Sequence, residues 1–286
     1  MSESDRNEFV IPFERLPERF ARQVENPPAE PAEPRPAATI VLLRDGPEGL
    51  EVLLMRRNRD AGFVPGAYVF PGGRVDAVDA EPGLVARLEG LAPAEAAARL
   101  GLEDAVPPAI AYYLAAVREA FEETGILVAR RADGAPVPPA ASDPAVDRVR
   151  DDLMEDRISF AEALARLDGR IEGASLAYLA HWITPVAEPR RYDTRFFAAG
   201  VPSGAEPVVD PREMSDGIWL TPAAALRRYR DGTLPMVFPT IRTLEALTDD
   251  RDTAAALRRI GAGRVRTILP NLVITPTGVG LEVDDG

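Results

Sequence analysis

The stretch Arg118–Gly125 reads REAFEETG and gathers Glu119, Glu122 and Glu123 just ahead of a glycine. On a helix turning about 100° per residue, Glu122 and Glu123 flank Glu119 by about 60° and about 40° on opposite sides, so all three carboxylates share one face. Glu119 and Glu123 are a like-charge i,i+4 pair, which costs roughly a few tenths of a kcal/mol. They also sit at the negative end of the helix dipole, where cations are preferred. Arg118 pairs with Glu122 only in the less favourable order, and Ile126 and Leu127 hold the positions where a basic residue would relieve the others. Close carboxylates short of positive charge can hold divalent cations, which draw electron density from phosphoryl oxygens and lower the pKa of bound water. The bland alternative is a solvated acidic face.

The helix itself is well marked. Ile110, Leu114, Val117 and Phe121 recur at helical spacing and form an apolar stripe. Pro107 and Pro108 mark the start, and Gly125 suits a left-handed stop. The remaining elements interleave. ATIVLLRD and GLEVLLMRR read as a hairpin across GPEG, and AYVFPGG as a strand entering a glycine turn. ILVARR follows the helix as a further strand. Residues 144–168 read as helix broken near Arg157–Ser159, and PAAALRRYRDG and residues 239–260 as helices. LAYLAHWITPV, TRFFAAGVP, GIWLTP, VRTILPNLVITP and GVGLEV read as strands. A short helix is expected around FERLPERFARQVE, and NPPAEPAEPRP as an extended linker. A mixed α/β sandwich without a regular βαβ rhythm follows.

Composition narrows the chemistry. The 286 residues carry a net charge of −13 and no cysteine, and they lack both a transmembrane-length apolar run and a signal-peptide start. Disulfides and thiolate zinc sites are excluded. A broad nucleic-acid footprint is disfavoured, since it needs basic charge. The expected setting is cytoplasmic, with no membrane or nucleic-acid partner; a homodimer is left open. One histidine, His181, leaves oxygen as the main metal donor, which favours Mg²⁺, Mn²⁺ or Ca²⁺. All 33 basic residues are arginine, so a cationic phosphate contact must use a bidentate guanidinium.

FPGG at Phe70–Gly73, taken with REAFEETGI at Arg118–Ile126, resembles the Nudix hydrolase family. The second half of that family's box is filled without departure. In the first half, Asp79 stands where glutamate is usual, with Asp76 as a rival. Residues 80–117 then intervene, 38 in place of the usual seven. This interruption is similar to the Nudix subgroup containing the peroxisomal coenzyme A diphosphatase, as are GFVPGAYVFPGG, HWITPVAEPRRYDTRFFAA and DGIWLTPAAAL. The resemblance implies a Nudix-type α/β/α sandwich with a mixed sheet, an N-terminal extension and Pro-rich linker over 1–36, a Nudix domain over 37–286, and a helical insertion at about 80–108. That insertion would be a lid, a substrate-selecting wall or a decoration over a sheet edge.

By the same resemblance, Glu119, Glu122 and Glu123 are metal-binding positions for Mg²⁺ or Mn²⁺, joined by a backbone carbonyl near Gly72 and Gly73. Arg118 would orient Glu122. Gly125 would end the helix. The general base would come from a loop outside the box, with Glu213 first and Asp216 second. Arg190, Arg191 and Arg195, or Arg56 with Arg57 and Arg59, would clamp phosphate; surface ion pairs explain them equally. His181 and Trp182 read as core. The implied activity is metal-dependent hydrolysis of a small-molecule diphosphate, coenzyme A or acyl-coenzyme A first, giving phosphopantetheine and 3′,5′-ADP. The alternatives are an ADP-ribose or nucleotide-sugar pyrophosphatase and, in another class, a non-catalytic Nudix ligand sensor.

Overall fold

The computed structural model describes residues 9–12, 24–58 and 65–283. The chain divides into two compact units, one of residues 37–179 and 195–264, the other of residues 1–36, 180–194 and 265–286. The larger unit carries the REAFEETG segment.

Its sheet is built on β2 (Arg35–Gly46) and β3 (Gly49–Arg57), an antiparallel hairpin whose ends pair at Gly46 and Gly49. Gly49 adopts φ +116, a region that favours glycine. β10 (Met214–Leu220) runs antiparallel along the far side of β3, and β9 (Tyr192–Gly200) lies beside β2. The expected AYVFPGG strand is split in two. β4 (Tyr68–Val69) pairs with β3, whereas β5 (Gly72–Arg74) pairs with β2, because Phe70–Pro71 carries the chain from one partner to the other.

Side chains alternate along these strands. Ala38, Ile40 and Leu42 of β2 and Leu53 and Met55 of β3 join a core with α3 (Ala109–Thr124). The intervening Val41, Leu43, Val52 and Leu54 are fully buried as well. Helix α6 (Pro222–Arg230) packs on β3, and α7 (Phe238–Leu247) packs on α6. A sheet buried on both faces with helical cover gives the expected α/β/α architecture.

Two features go beyond the sequence reading. The first is that the insertion contributes to the core. After a 3₁₀ turn at Ala77–Ala80 come α1 (Pro82–Val85), β6 (Leu88–Glu89) and α2 (Pro93–Leu100). Leu84, Leu88, Leu91, Ala96 and Leu100 are buried in the same cluster as α3. β6 pairs in parallel with β7 (Ile171–Glu172), and Glu89 bridges to Arg170 at 2.8 Å. The second is a correction, since ILVARR is no strand. Ile126–Ala129 is buried coil, and Ile126 donates its N–H to the Thr124 hydroxyl. A short apolar run reads the same whether it is a strand or buried coil.

Two helices follow at α4 (Pro144–Met154) and α5 (Phe160–Arg166), separated at the expected break. The helix α8 (Thr253–Ala262) closes the larger unit. In the smaller unit, β1 (Val10–Pro12), β13 (Gly278–Glu282) and β12 (Asn271–Thr275) form an antiparallel sheet. β11 (Thr267–Ile268) runs parallel to the end of β8 (Ala177–Ile183). The helix expected around FERLPERFARQVE falls largely outside the described residues, as does Arg59.

Candidate active site

Helix α3 spans the length its stripe implies, from the residue after Pro108 to the residue before Gly125. Gly125 takes φ +68 and donates its N–H to the Phe121 carbonyl, closing the helix in the left-handed geometry glycine permits. What differs is burial. Residues 109–118 are all buried, so α3 has no solvated face along most of its length. The acidic end is enclosed too. Glu123 is 5% exposed, and the Glu119 and Glu122 side chains are 14% and 25% exposed.

Arg118 is the hub of this end. Its Nε donates to Asp79 Oδ1 at 2.8 Å and its Nη2 to Asp79 Oδ2 at 3.2 Å. Nη1 reaches both Glu119 Oε1 and Glu122 Oε2 at 2.9 Å, and Nη2 also reaches the Arg74 carbonyl at 3.1 Å. All three guanidinium nitrogens are therefore engaged, in charge-assisted bonds that fix both glutamates. Burial works against the Arg118 charge. The bond to Asp79 and the charges of Glu119, Glu122 and Asp79 outweigh it, holding the group above the ordinary arginine value.

Asp79 is fully buried, and it closes its own turn by accepting the Asp76 N–H at 2.8 Å. Of the two rivals, Asp79 holds the arginine, while Asp76 carries the half-exposed side chain at the turn's start.

Glu123 has a different environment. It accepts the Gly72 N–H at 3.1 Å. Burial, then the Glu119 charge, push its carboxyl well above the usual range, against the Gly72 N–H and the Arg57 charge. Burial also pushes Glu119 up to about 7, against the pull of Arg118. Glu122 is raised by burial in the same way, with Asp79 and Glu213 adding to the effect. The glycines let this happen. A Cβ on Gly73 would fall on the Glu119 carboxylate, and one on Gly72 would meet the Ala38 carbonyl oxygen at 2.5 Å. FPGG is thus the floor against which the glutamates lie.

Positive charge also reaches the helix end from a residue that the sequence reading missed. Arg150 of α4 is 3% exposed; its Nε donates to the Phe121 and Glu122 carbonyls at 3.0 Å, and its Nη2 to the Glu122 carbonyl at 2.7 Å. It caps the last turn and opposes the dipole. A signal was present, since Arg150 lies on the buried stripe Val146–Arg150–Leu153, where an apolar residue is the norm.

Glu213 lies in the turn before β10, exposed, with its charge acting on both Glu122 and Glu123. Its backbone is anchored by Asn58 N–H to its carbonyl at 3.0 Å. Asp216 accepts the Tyr68 hydroxyl at 3.0 Å, on the strand face that Arg56 shares. Arg56 lies over the Tyr68 ring, 5.7 Å from its centroid. That side is opposite to Leu53 and Met55, and so opposite to α3. Arg57 is on the α3 side.

The arginine clamp is corrected. Arg191 is buried in the smaller unit, with Nε on the Thr184 carbonyl at 3.0 Å and Nη1 on the Ala32 carbonyl at 2.9 Å. Arg195 is buried in the larger unit, where Nη1 meets the Leu100 carbonyl at 2.7 Å and the Tyr178 hydroxyl at 3.0 Å. Both hold backbone, because long buried guanidinium groups must satisfy their N–H donors on the nearest carbonyls. Arg190 alone of the three is exposed. His181 is a satisfied core histidine, between Asp193 at 2.6 Å and Thr267 at 2.8 Å.

Among the described residues no three carboxylate or imidazole side chains are gathered closely enough to hold a metal ion as they stand. The donor set nevertheless suits a hard divalent ion. Its donors are carboxyl oxygens, the Glu119 charge acts on Glu123, and the hydrogen bond on the Glu123 carboxyl comes from the Gly72 N–H. Ions such as Mg²⁺ commonly take only one or two carboxylates and complete their shell with water and substrate phosphate.

The NUDT19 Nudix domain model matches residues 34–247, a span that holds every residue of this cluster. The chain belongs to the Nudix family. It is 30% identical over 218 residues to the acyl-coenzyme A diphosphatase NUDT19 of Gallus gallus, covering 65% of this chain and 57% of that protein. The Homo sapiens protein of the same name is 30% identical over 210 residues, covering 64% and 56%. The chain thus spans little more than half the length of these curated relatives. A crystal structure of a Nudix hydrolase from Alicyclobacillus acidocaldarius aligns with a TM-score of 0.64 at 28% identity, over 81% of this chain and 99% of that one. The interrupted Nudix box therefore folds as one cluster, with Asp79 and Arg118 meeting across the insertion. No described helix is long and apolar enough to cross a membrane.

Proposed function

We propose that this Nudix protein hydrolyses the diphosphate of coenzyme A or acyl-coenzyme A, giving phosphopantetheine or its acylated form and 3′,5′-ADP. The observation that carries this reading is the match of one subgroup's family model across the whole interrupted box. The names of the similar proteins, acyl-coenzyme A diphosphatases, point to the substrate class.

Glu119, Glu122 and Glu123 would hold Mg²⁺ or Mn²⁺, with a backbone oxygen at Gly73. When bound, the ion would neutralise phosphoryl oxygens and acidify a bound water. Arg118 holds Glu119 and Glu122 in place and contacts no substrate. Glu213 takes the proton of the attacking water as its oxygen bonds to one phosphorus and the bridging P–O bond breaks; the second phosphate leaves with the bridging oxygen. Its exposed carboxylate and its position facing Glu122 and Glu123 support that role over Asp216, which is engaged by Tyr68. Positioning and charge do most of the work in such a displacement.

The test is mass spectrometry of products after incubation with coenzyme A, acetyl-coenzyme A, ADP-ribose, NADH and a nucleotide sugar, each with Mg²⁺, Mn²⁺ or excess chelator. Metal-dependent release of 3′,5′-ADP from the first two is expected. Cleavage confined to the others would move the substrate, and tight binding without any turnover would replace the enzyme by a sensor.

A further inference from the structure

Arg57 ends β3 on the α3 side of the sheet. It alternates with Leu53 and Met55, which pack in the α3 core, and it stands opposite Met214, buried in the same core. The next residue, Asn58, is tied by its N–H to the Glu213 carbonyl at 3.0 Å. Arg57 is therefore delivered to the place where the Glu213 turn meets the acidic end of α3. Its Nε is nonetheless buried without a hydrogen-bond partner among the described residues. A buried donor on a cation with no acceptor is costly and is a place where a ligand acceptor is missing.

Four other arginines of the larger unit are already committed. Arg118 is saturated by carboxylates and a carbonyl. Arg150 serves the helix carbonyls and Arg195 the Leu100 carbonyl. Arg56 is turned to Tyr68 on the other face. The nearby carboxylates are committed as well: Glu123 takes the Gly72 N–H, and Glu119 and Glu122 take Arg118.

We propose that Arg57 grips the substrate diphosphate, its Nε and one Nη closing bidentately on two oxygens of a single phosphoryl group. A planar fork with an unpartnered Nε suits that geometry, and a lysine would not reproduce it. The assignment rests on the diphosphate hydrolase reading and separates the two arginines of MRR, which alternate faces.

The test is calorimetric titration of methylenediphosphonate, a diphosphate that water does not cleave, into the full chain with Mg²⁺. Wild type, Arg57→Gln, Arg57→Lys and Arg56→Gln would be compared, with thermal midpoints and Mg²⁺ binding measured on each. Arg57→Gln is expected to weaken methylenediphosphonate binding by about 10-fold to 100-fold, the usual scale for a lost charged hydrogen bond. Arg57→Lys should recover only part of it, and Arg56→Gln should leave it unchanged. Mg²⁺ binding should not weaken in any variant. Unweakened binding by Arg57→Gln, or an equal loss in Arg56→Gln, would overturn the assignment. If Arg57→Gln does not fold, undiminished binding by Arg57→Lys would overturn it. A wild-type chain that binds no methylenediphosphonate would overturn the hydrolase reading as well, whereas tight wild-type binding indifferent to Arg57 would overturn this inference alone.

Discussion

Arg118 and Asp79 stand 39 positions apart in the chain, yet Nε and Oδ1 are 2.8 Å apart in the interior. The insertion between them lengthens the spacing of the box, and the two side chains still meet. Asp79 reaches Arg118 from a 3₁₀ turn that its own carboxylate closes on the Asp76 N–H.

Asp79→Asn tests that bond. The variant keeps the shape but leaves the Arg118 charge facing an amide in a buried site. Breaking one partner of a buried pair costs about 3–5 kcal/mol, and the retained amide oxygen reduces this toward about 2 kcal/mol. Urea unfolding should show a lower midpoint with an unchanged slope. Activity should fall further than stability, because Glu119 and Glu122 lose their fixed partner.

Arg150→Met should lower stability by about 1–3 kcal/mol, since the Phe121 and Glu122 carbonyls lose a buried charged donor. The aliphatic stem is largely replaced, so packing is mostly kept and the loss reports the cap. Far-ultraviolet circular dichroism through thermal melts would measure it. A midpoint equal to wild type would mean that water caps α3 equally well.

The sequence makes some of these roles visible and hides others. The α3 stripe, its proline start and Gly125 define the helix, because each acts locally. FPGG predicts a tight approach, and Gly73 indeed leaves no room for a Cβ beside Glu119. Arg191 and Arg195 spell a phosphate clamp and are none, because a guanidinium buried on backbone carbonyls has the same local sequence as an exposed one. The Asp79–Arg118 bond is ambiguous in sequence, because only the fold of residues 80–117 decides whether Asp76 or Asp79 turns inward. Arg56 and Arg57 are neighbours in sequence and belong to opposite faces, a distinction fixed by the register of β3. Alternation separates them from sequence alone, but it does not say which face is functional.

Glu213→Gln should lower kcat by about 100-fold, the lower end of what a positioned base contributes, with little change in KM. Glu213 is exposed, so the thermal midpoint should not move. Steady-state rates across pH with Mg²⁺ at saturation would separate the outcomes. A variant that retains the wild-type rate and its acid limb would remove Glu213 from the proton path.

Glu123→Gln should stabilise the metal-free chain above neutral pH. The buried carboxylate is held well above its usual range by burial and by Glu119, so its charge opposes folding, while an amide oxygen can still accept the Gly72 N–H. The gain should vanish or reverse when Mg²⁺ is added to both proteins, because the variant loses an anionic donor. Melting midpoints in chelator and in Mg²⁺ at pH 8 would show the crossing; a variant less stable than wild type in chelator would count against it.

The pH dependence of the metal-free chain follows from Glu119. Its folded value is pushed up to about 7, from an ordinary 4.5. Between about pH 4.5 and about pH 7 the folded chain therefore keeps a proton that the unfolded chain has released. Stability must fall as pH rises through that window, by at most about 3 kcal/mol for this group. Glu122 and Glu123, raised in the same direction, deepen the fall. Added Mg²⁺ should bind more tightly as the same protons leave, so its stabilising effect should grow with pH. Denaturant midpoints from pH 5 to pH 8, in chelator and in Mg²⁺, would measure both slopes. A flat curve in chelator would mean that the carboxyl groups hold no extra protons, and parallel curves that the ion does not bind where those protons leave; either would defeat the electrostatic account of the site.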